Sequence, residues 1–139
     1  HDIGKVILIL QYPERYAYAM EEAQKRKVVI CLTEEDVFPV THAEAGGWIT
    51  ERWRFPKSLT EVIKCHHKPQ LSRTFSREAS IVFLADVLVR ARGFGFAGDN
   101  LVPSITTGVW EKLGVTEECL KDIFKEMENS IEDADAFLL

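Results

Sequence analysis

The chain has 139 residues, 46% of them hydrophobic and 28% charged, which is enough apolar material to bury a core and fits a single domain spanning residues 1–139. With 22 acidic and 17 basic residues the net charge is −5 and the charges are spread along the sequence, so the basic footprint of a nucleic-acid groove is absent and no nucleic-acid partner is expected. The longest apolar run, Val6 to Leu10, is too short to cross a bilayer, and Cys31, Cys65 and Cys119 are odd in number with no CxxC pairing; the expectations are no membrane, reduced thiols and a cytoplasmic location.

The chain opens on His1 rather than Met, in a segment that reads as the middle of a larger helical unit, so upstream helices are expected. Ile3, Val6, Ile7 and Leu10 recur at helical spacing and Leu8 and Ile9 fill the flanks, which predicts a helix buried nearly all round at the centre of the fold. The helices that follow can cover only part of its surface, and upstream helices or another chain are expected over the rest. Pro13 suits the first turn of a second, outer helix, which runs through Tyr16, Met20 and Ala23 to Lys25, Arg26 and Lys27. Val28 to Leu32 is the one strand-like run; it has no partner strand and reads as an extended linker or a short helix start.

Thr41 with Glu44, and Ser58 with Glu61, fit reciprocal capping boxes, so helices should begin near residues 42 and 59. Ser76 can cap a long helix from Arg77 to Arg92, stopped by the glycines from Gly93 to Gly98. Those glycines satisfy the GxGxxG spacing of dinucleotide sites, but they follow a helix instead of a strand and read as a stop with a turn. Asp99 sits in that turn. Thr116 caps a last helix whose Leu120, Ile123, Phe124, Met127, Ile131, Ala134 and Leu138 form a packing stripe. The periodicity is helical throughout, and the fold class is all-α.

Ionisable groups fall on the stripes that should face inward. His42 lies in line with Ala45, Gly46, Ile49 and Trp53; His66 with Leu59, Val62 and Ile63; Asp86 with Ala79, Val82, Phe83 and Val89. A buried imidazole or carboxylate is costly without a partner, so each must meet the others, a metal or another hydrogen-bonding group. Singly, each has an ordinary reading: a satisfied core histidine, or Asp86 paired with Arg90 one turn on. Jointly, with His67 beside His66 and with His1-Asp2 heading the first helix, one converging site is the simpler account. Histidines and carboxylates with few or no thiolates suit a divalent metal such as iron, manganese, zinc or magnesium. Cys65 adjoins His66 but should point elsewhere on its helix.

The segments HDIGK (1–5), THAEAGGWITERW (41–53), IKCHHKP (63–69) and the aspartate of IVFLADVL (81–88) together resemble the ordered signature of the HD superfamily. The stretch from Pro13 to Val40 makes the chain similar to its HDOD (HD-related output domain) branch. The resemblance implies an HD-type helical bundle lacking its N-terminal helices. It implies His1, Asp2, His42, His66, His67 and Asp86 as metal ligands, with Asp2 placed to bridge metals, and it makes Asp2 and Lys5 the catalytic candidates, Lys5 facing a substrate phosphate. The function implied is a bacterial signal-transduction domain with protein partners in a relay and a phosphate-containing small-molecule ligand. The alternative implied is a metal-dependent phosphohydrolase acting on nucleotides or phosphate esters. The cyclic-dinucleotide-cleaving HD-GYP branch carries Gly-Tyr-Pro after its paired histidine. Here the sequence continues KPQLSRTFS, so cleavage of cyclic di-GMP is not expected, and one further ligand is expected from an upstream helix.

Overall fold

A computed structural model describes the backbone of residues 1–138 and the side chains of residues 1–130. Eight α-helices and one 3-10 turn follow one another with no strand among the described residues, so the chain is all-α as its periodicity predicts. It divides into two compact units, His1–Ile105 and Thr106–Leu139.

The first unit holds α1 (Ile3–Gln11), α2 (Pro13–Arg26), α3 (Ile30–Val37), α4 (His42–Arg52), α5 (Lys57–Cys65), a 3-10 turn (Pro69–Leu71) and α6 (Ser76–Ala91). Neighbours in sequence mostly pack on one another: α3 on α2, α2 on α1, α4 on α5 and α5 on α6, while α1 also lies against α4. The middle of the bundle is therefore α4, on which His42, Ala43, Ala45, Gly46, Gly47 and Thr50 are all buried. This corrects the expectation that α1 is buried nearly all round. Gly4 and Leu8 are buried, but Val6, Ile9 and Leu10 are 49%, 43% and 72% exposed, because α2 and α4 cover one side of the helix only.

Close approach fixes how α1 meets α4. A Cβ on Gly4 would lie 1.9 Å from the His42 carbonyl oxygen and 2.8 Å from the Gly46 nitrogen, so backbone meets backbone where the first helix crosses the fourth. One core cluster gathers Leu8, Tyr16, Ala19, Ala23, Ile30 and Phe38. On α6 the buried face is Ala79, Ser80, Phe83, Leu84, Val87 and Leu88, which leaves Asp86 on the shoulder of that face.

The helix ends test the local signals. Pro13 opens α2, and Lys27 closes it in the left-handed region at φ +52°. The strand-like run becomes a short helix start, α3 beginning at Ile30. At Thr41 the reciprocal capping box with Glu44 is present. At Ser58 it is not: α5 starts at Lys57 with Pro56 as its N-cap, and Glu61 Oε1 accepts instead from Ser72 Oγ at 2.5 Å and from the Thr74 amide at 2.9 Å. The turn after α5 offers that carboxylate more donors than its own helix end does. Ser76 is the first residue of α6, with Phe75 as the N-cap, and the helix ends at Ala91 ahead of Gly93, whose φ is +75°. Trp53 and Leu59 are corrections as well, at 54% and 50% exposed. Trp53 is the C-cap of α4, where the helical stripe no longer applies, and Leu59 lies in the first turn of α5, a turn before Val62, the buried residue of that helix.

The second unit comprises α7 (Thr107–Leu113), closed by Gly114 at φ +63°, and α8 (Glu117–Leu138). Thr116 Oγ1 accepts from the Cys119 amide at 3.2 Å, the expected cap. Leu120, Ile123, Phe124 and Met127 are half-buried, as a packing stripe requires, and Ile131, Ala134 and Leu138 lie outside the described side chains. No described helix is long and apolar enough to cross a membrane.

Candidate metal centre

His42 is the first residue of α4 and is 0% exposed. Its Nδ1 lies 2.6 Å from Glu34 Oε2, and its backbone N–H donates to the same oxygen at 2.9 Å. Glu34, itself 0% exposed, also accepts from the Tyr16 hydroxyl at 3.0 Å. Since an ionised carboxylate only accepts, Nδ1 carries the ring proton and Nε2 turns a lone pair toward the interior. His66, at the end of α5, has the same tautomer for the same reason: its Nδ1 is 2.6 Å from the Ile63 carbonyl oxygen.

The free ring nitrogens converge. His42 Nε2 is 3.4 Å from His66 Nε2 and 2.9 Å from His67 Nε2. Asp2 Oδ1 is 3.3 Å from His42 Nε2 and 3.5 Å from His66 Nε2. One donor atom from each of Asp2, His42, His66 and His67 lies within 4.8 Å of all the others. Ligands about 2.0–2.1 Å from a tetrahedral metal stand about 3.3 Å apart, and these four separations bracket that value. Asp2 Oδ1 is moreover buried and receives no hydrogen bond. Imidazole nitrogens and a carboxylate oxygen gathered at these distances, on residues of the types that ligate divalent ions, fit a divalent metal.

Burial and close contact shift the ionisable groups of the cluster in opposite directions. Burial opposes ionisation of Asp2, but contact with His42 and His66 and the charge of Lys5 outweigh it and hold the carboxyl well below its ordinary range. Burial, then the charges of His66 and His42, push His67 down to about 2, so its ring stays neutral and its lone pair available. For His42 burial works against protonation, yet contact with the carboxylates of Asp2 and Glu34 prevails and raises it.

The other residues expected at the site lie beside this group. His1 Nε2 is 3.6 Å from Asp2 Oδ1 and 3.8 Å from Asp86 Oδ1, and its ring meets that of His66 edge-on at 4.8 Å. Asp86 thus adjoins the four through His1 and stands outside them. Its second oxygen is buried without a hydrogen bond, 3.8 Å from Arg90, so it lies between the converging site and the arginine pairing. Arg90 is engaged chiefly by Asp99 and by the Leu101 carbonyl. Asp99 is 4% exposed and also accepts from the amides of Ile30 and Leu101, both at 2.8 Å, so it ties the glycine turn to the start of α3. Lys5 Nζ donates to Asp2 Oδ2 at 2.7 Å and to the Ala97 carbonyl at 2.9 Å. The two oxygens of Asp2 are therefore divided, one on Lys5 and one toward the histidines. Cys65 is half-buried and outside the four.

Sequence reasoning missed Glu34. It stands in the acidic run Glu34-Glu35-Asp36, which reads as a solvated face. The usable signal was its place beside Thr33 and Ile30, which are buried with it.

Residues 1–69 match the HDOD domain family. That span contains Asp2, Glu34, His42, His66 and His67 and ends before Asp86. A protein of Treponema pallidum (strain Nichols), described as uncharacterized, is 26% identical over 91 residues, which is 65% of this chain and 18% of that protein. The chain therefore spans well under two thirds of that relative's length. No solved structure matches the chain.

Proposed function

We propose that this HDOD-type chain is a cytoplasmic regulatory module of bacterial signal transduction, holding a divalent metal at Asp2, His42, His66 and His67 and acting through protein partners in a relay. The metal reading is carried by Asp2 Oδ1, buried, without a donor, and faced by imidazole nitrogens at 3.3 and 3.5 Å. A metal bound there supplies a Lewis-acidic positive charge, able to polarise an oxygen ligand or lower the pKa of water. Regulation is favoured over hydrolysis by Lys5. The ammonium that would offset charge on a phosphoryl oxygen is 13% exposed and already bonded to Asp2 and Ala97, so it is withdrawn from that task.

Elemental analysis of the chain purified without added metal tests this, with about one divalent ion per chain expected. Asp2→Asn and His66→Gln should lose it while keeping the helical circular dichroism. No binding of manganese, iron or zinc by the unaltered chain would sink the centre. The second reading, a metal-dependent phosphohydrolase, is favoured by His1, whose Nε2 stands 3.6 Å from Asp2 Oδ1 with Asp86 behind it at 3.8 Å, a second histidine-carboxylate pair beside the four. Incubation with manganese or iron and a phosphodiester, cyclic di-GMP included, separates the two readings. Multiple turnovers abolished by changing His1 or Asp2 would replace regulation by catalysis; no turnover by metal-loaded protein leaves the regulatory reading standing.

A further inference from the structure

A cleft of about 450 Å³ opens beside the candidate metal centre, walled by α3, the N-terminal end of α4, α5 and the turn that follows it. That volume lies within the ordinary range for a small-molecule site, about 300–1,000 Å³. Of the four clustered residues, His67 is the one on its wall. The cleft is thus a separate chamber that shares an imidazole with the centre.

Its charges are equal in number but not equally available. Glu61 is held by Ser72 and the Thr74 amide, Glu44 by the Thr41 amide at 2.9 Å, and Glu35 by Lys68 Nζ at 2.7 Å. That leaves Lys64 and Arg73 as the lining cations with no acidic partner among the described residues. The Lys64 stem is seated on α4 where a Cβ at Gly47 would meet it at 3.1 Å, so the lysine is fixed at its root. Ala43, Leu71 and the Cys31 side chain supply an apolar stretch of the same cleft. An ammonium and a guanidinium beside an apolar surface suit an oxyanion carried on a small organic body, and the guanidinium's paired donors favour phosphate.

We propose that this cleft binds a small phosphate ester, its phosphate held by Lys64 and Arg73 and its body against Ala43 and Leu71, with His67 as the wall through which occupancy reaches the centre. The last clause rests on the regulatory reading above; the binding itself does not. Bound ligand would touch α3, α4 and α5 at once, the three helices that carry Glu34, His42 and His66. It is therefore placed to change how a partner meets this face.

The test is titration of the isotope-labelled 139-residue chain, followed by NMR, with AMP and glycerol phosphate as probes and with adenosine and glycerol as uncharged controls. Both esters should perturb the amides of Lys64, Cys65, Arg73 and Thr74 with dissociation constants below about 1 mM, and the uncharged controls should not. Combining Lys64→Ala with Arg73→Ala, two exposed side chains, should weaken ester binding by at least about tenfold, or about 1.4 kcal/mol. Absence of ester binding, equal binding of the uncharged controls, or unchanged affinity in the double variant would each overturn the proposal. Metal content of the same samples keeps the two readings apart. A chain that holds metal but no ester refutes the cleft alone, and ester binding that survives Asp2→Asn supports the cleft whatever becomes of the metal.

Discussion

Glu34 makes three hydrogen bonds with no exposed surface, to the His42 ring, the His42 amide and the Tyr16 hydroxyl. Burying a carboxylate this completely is unfavourable unless its charge is used, and the use is to fix the tautomer and direction of His42 while making its ring a stronger donor. Glu34→Gln keeps the shape and removes the charge, so metal affinity should fall about 10- to 100-fold with little change in helical content. Competition against a chromogenic chelator measures it. Tyr16→Phe serves as the comparison: it removes one neutral donor on the far side of Glu34 and should cost about 1 kcal/mol of stability while leaving affinity nearly unchanged. Equal affinities in Glu34→Gln and the unaltered chain would show that His42 is oriented by packing alone. Asp99 is unsuited as a neutral control for such series, because it holds the amides of Ile30 and Leu101 and the Arg90 guanidinium.

Between elements the decisive contact is Gly4 on α4. A methyl group there would fall 1.9 Å from a carbonyl oxygen that belongs to His42 itself, and neither helix backbone can yield as a flexible side chain would. Gly4→Ala should therefore push α1 off α4, cost about 3 kcal/mol or more, and pull Asp2 away from the histidines. Thermal melting and metal content should fall together; unaltered melting would mean that the two helices separate without penalty. The same scale shows what was legible in the chain. The Thr41–Glu44 box and the Thr116 cap were readable because donor and acceptor lie within one helical turn. Ser58 and Glu61 carry the same spacing, yet Glu61 turns to Ser72, eleven positions on, and no local pattern contains that competition. The inward stripes located His42 and His66 correctly. They misplaced Trp53 and Leu59, because a periodic series does not know where a helix ends or which of its flanks a neighbour covers. The apolar run of α1 likewise revealed a helix without revealing that packing reaches only one side of it.

Taken as a whole molecule, the metal-free chain should record its histidine cluster in its stability against pH. In the fold His67 titrates at about 2, pushed down by burial and by the charges of His66 and His42, against 6.5 for a free imidazole. The unfolded chain therefore binds a proton below 6.5 that the native chain refuses. The contribution of His67 is present above that value and lost as the pH falls. His42 runs the opposite way: its folded value is raised because contacts with Asp2 and Glu34 outweigh burial, so its contribution is full below 6.5 and lost as the pH climbs through the raised value. Asp2, held low, adds a further loss on acidification below 3.8. Together these place the stability maximum of the chelator-treated protein near pH 6.5, with an acid limb that approaches one proton, about 1.4 kcal/mol per pH unit. Urea unfolding across the pH range gives the curve. His67→Gln should flatten the limb between 6.5 and 3.8 and leave the alkaline limb in place, whereas saturating metal should move the maximum upward, because the cation takes the position of the His42 proton. An acid limb unchanged by His67→Gln would mean that this ring is solvated and protonated in the fold, and that it does not face the nitrogens of His42 and His66.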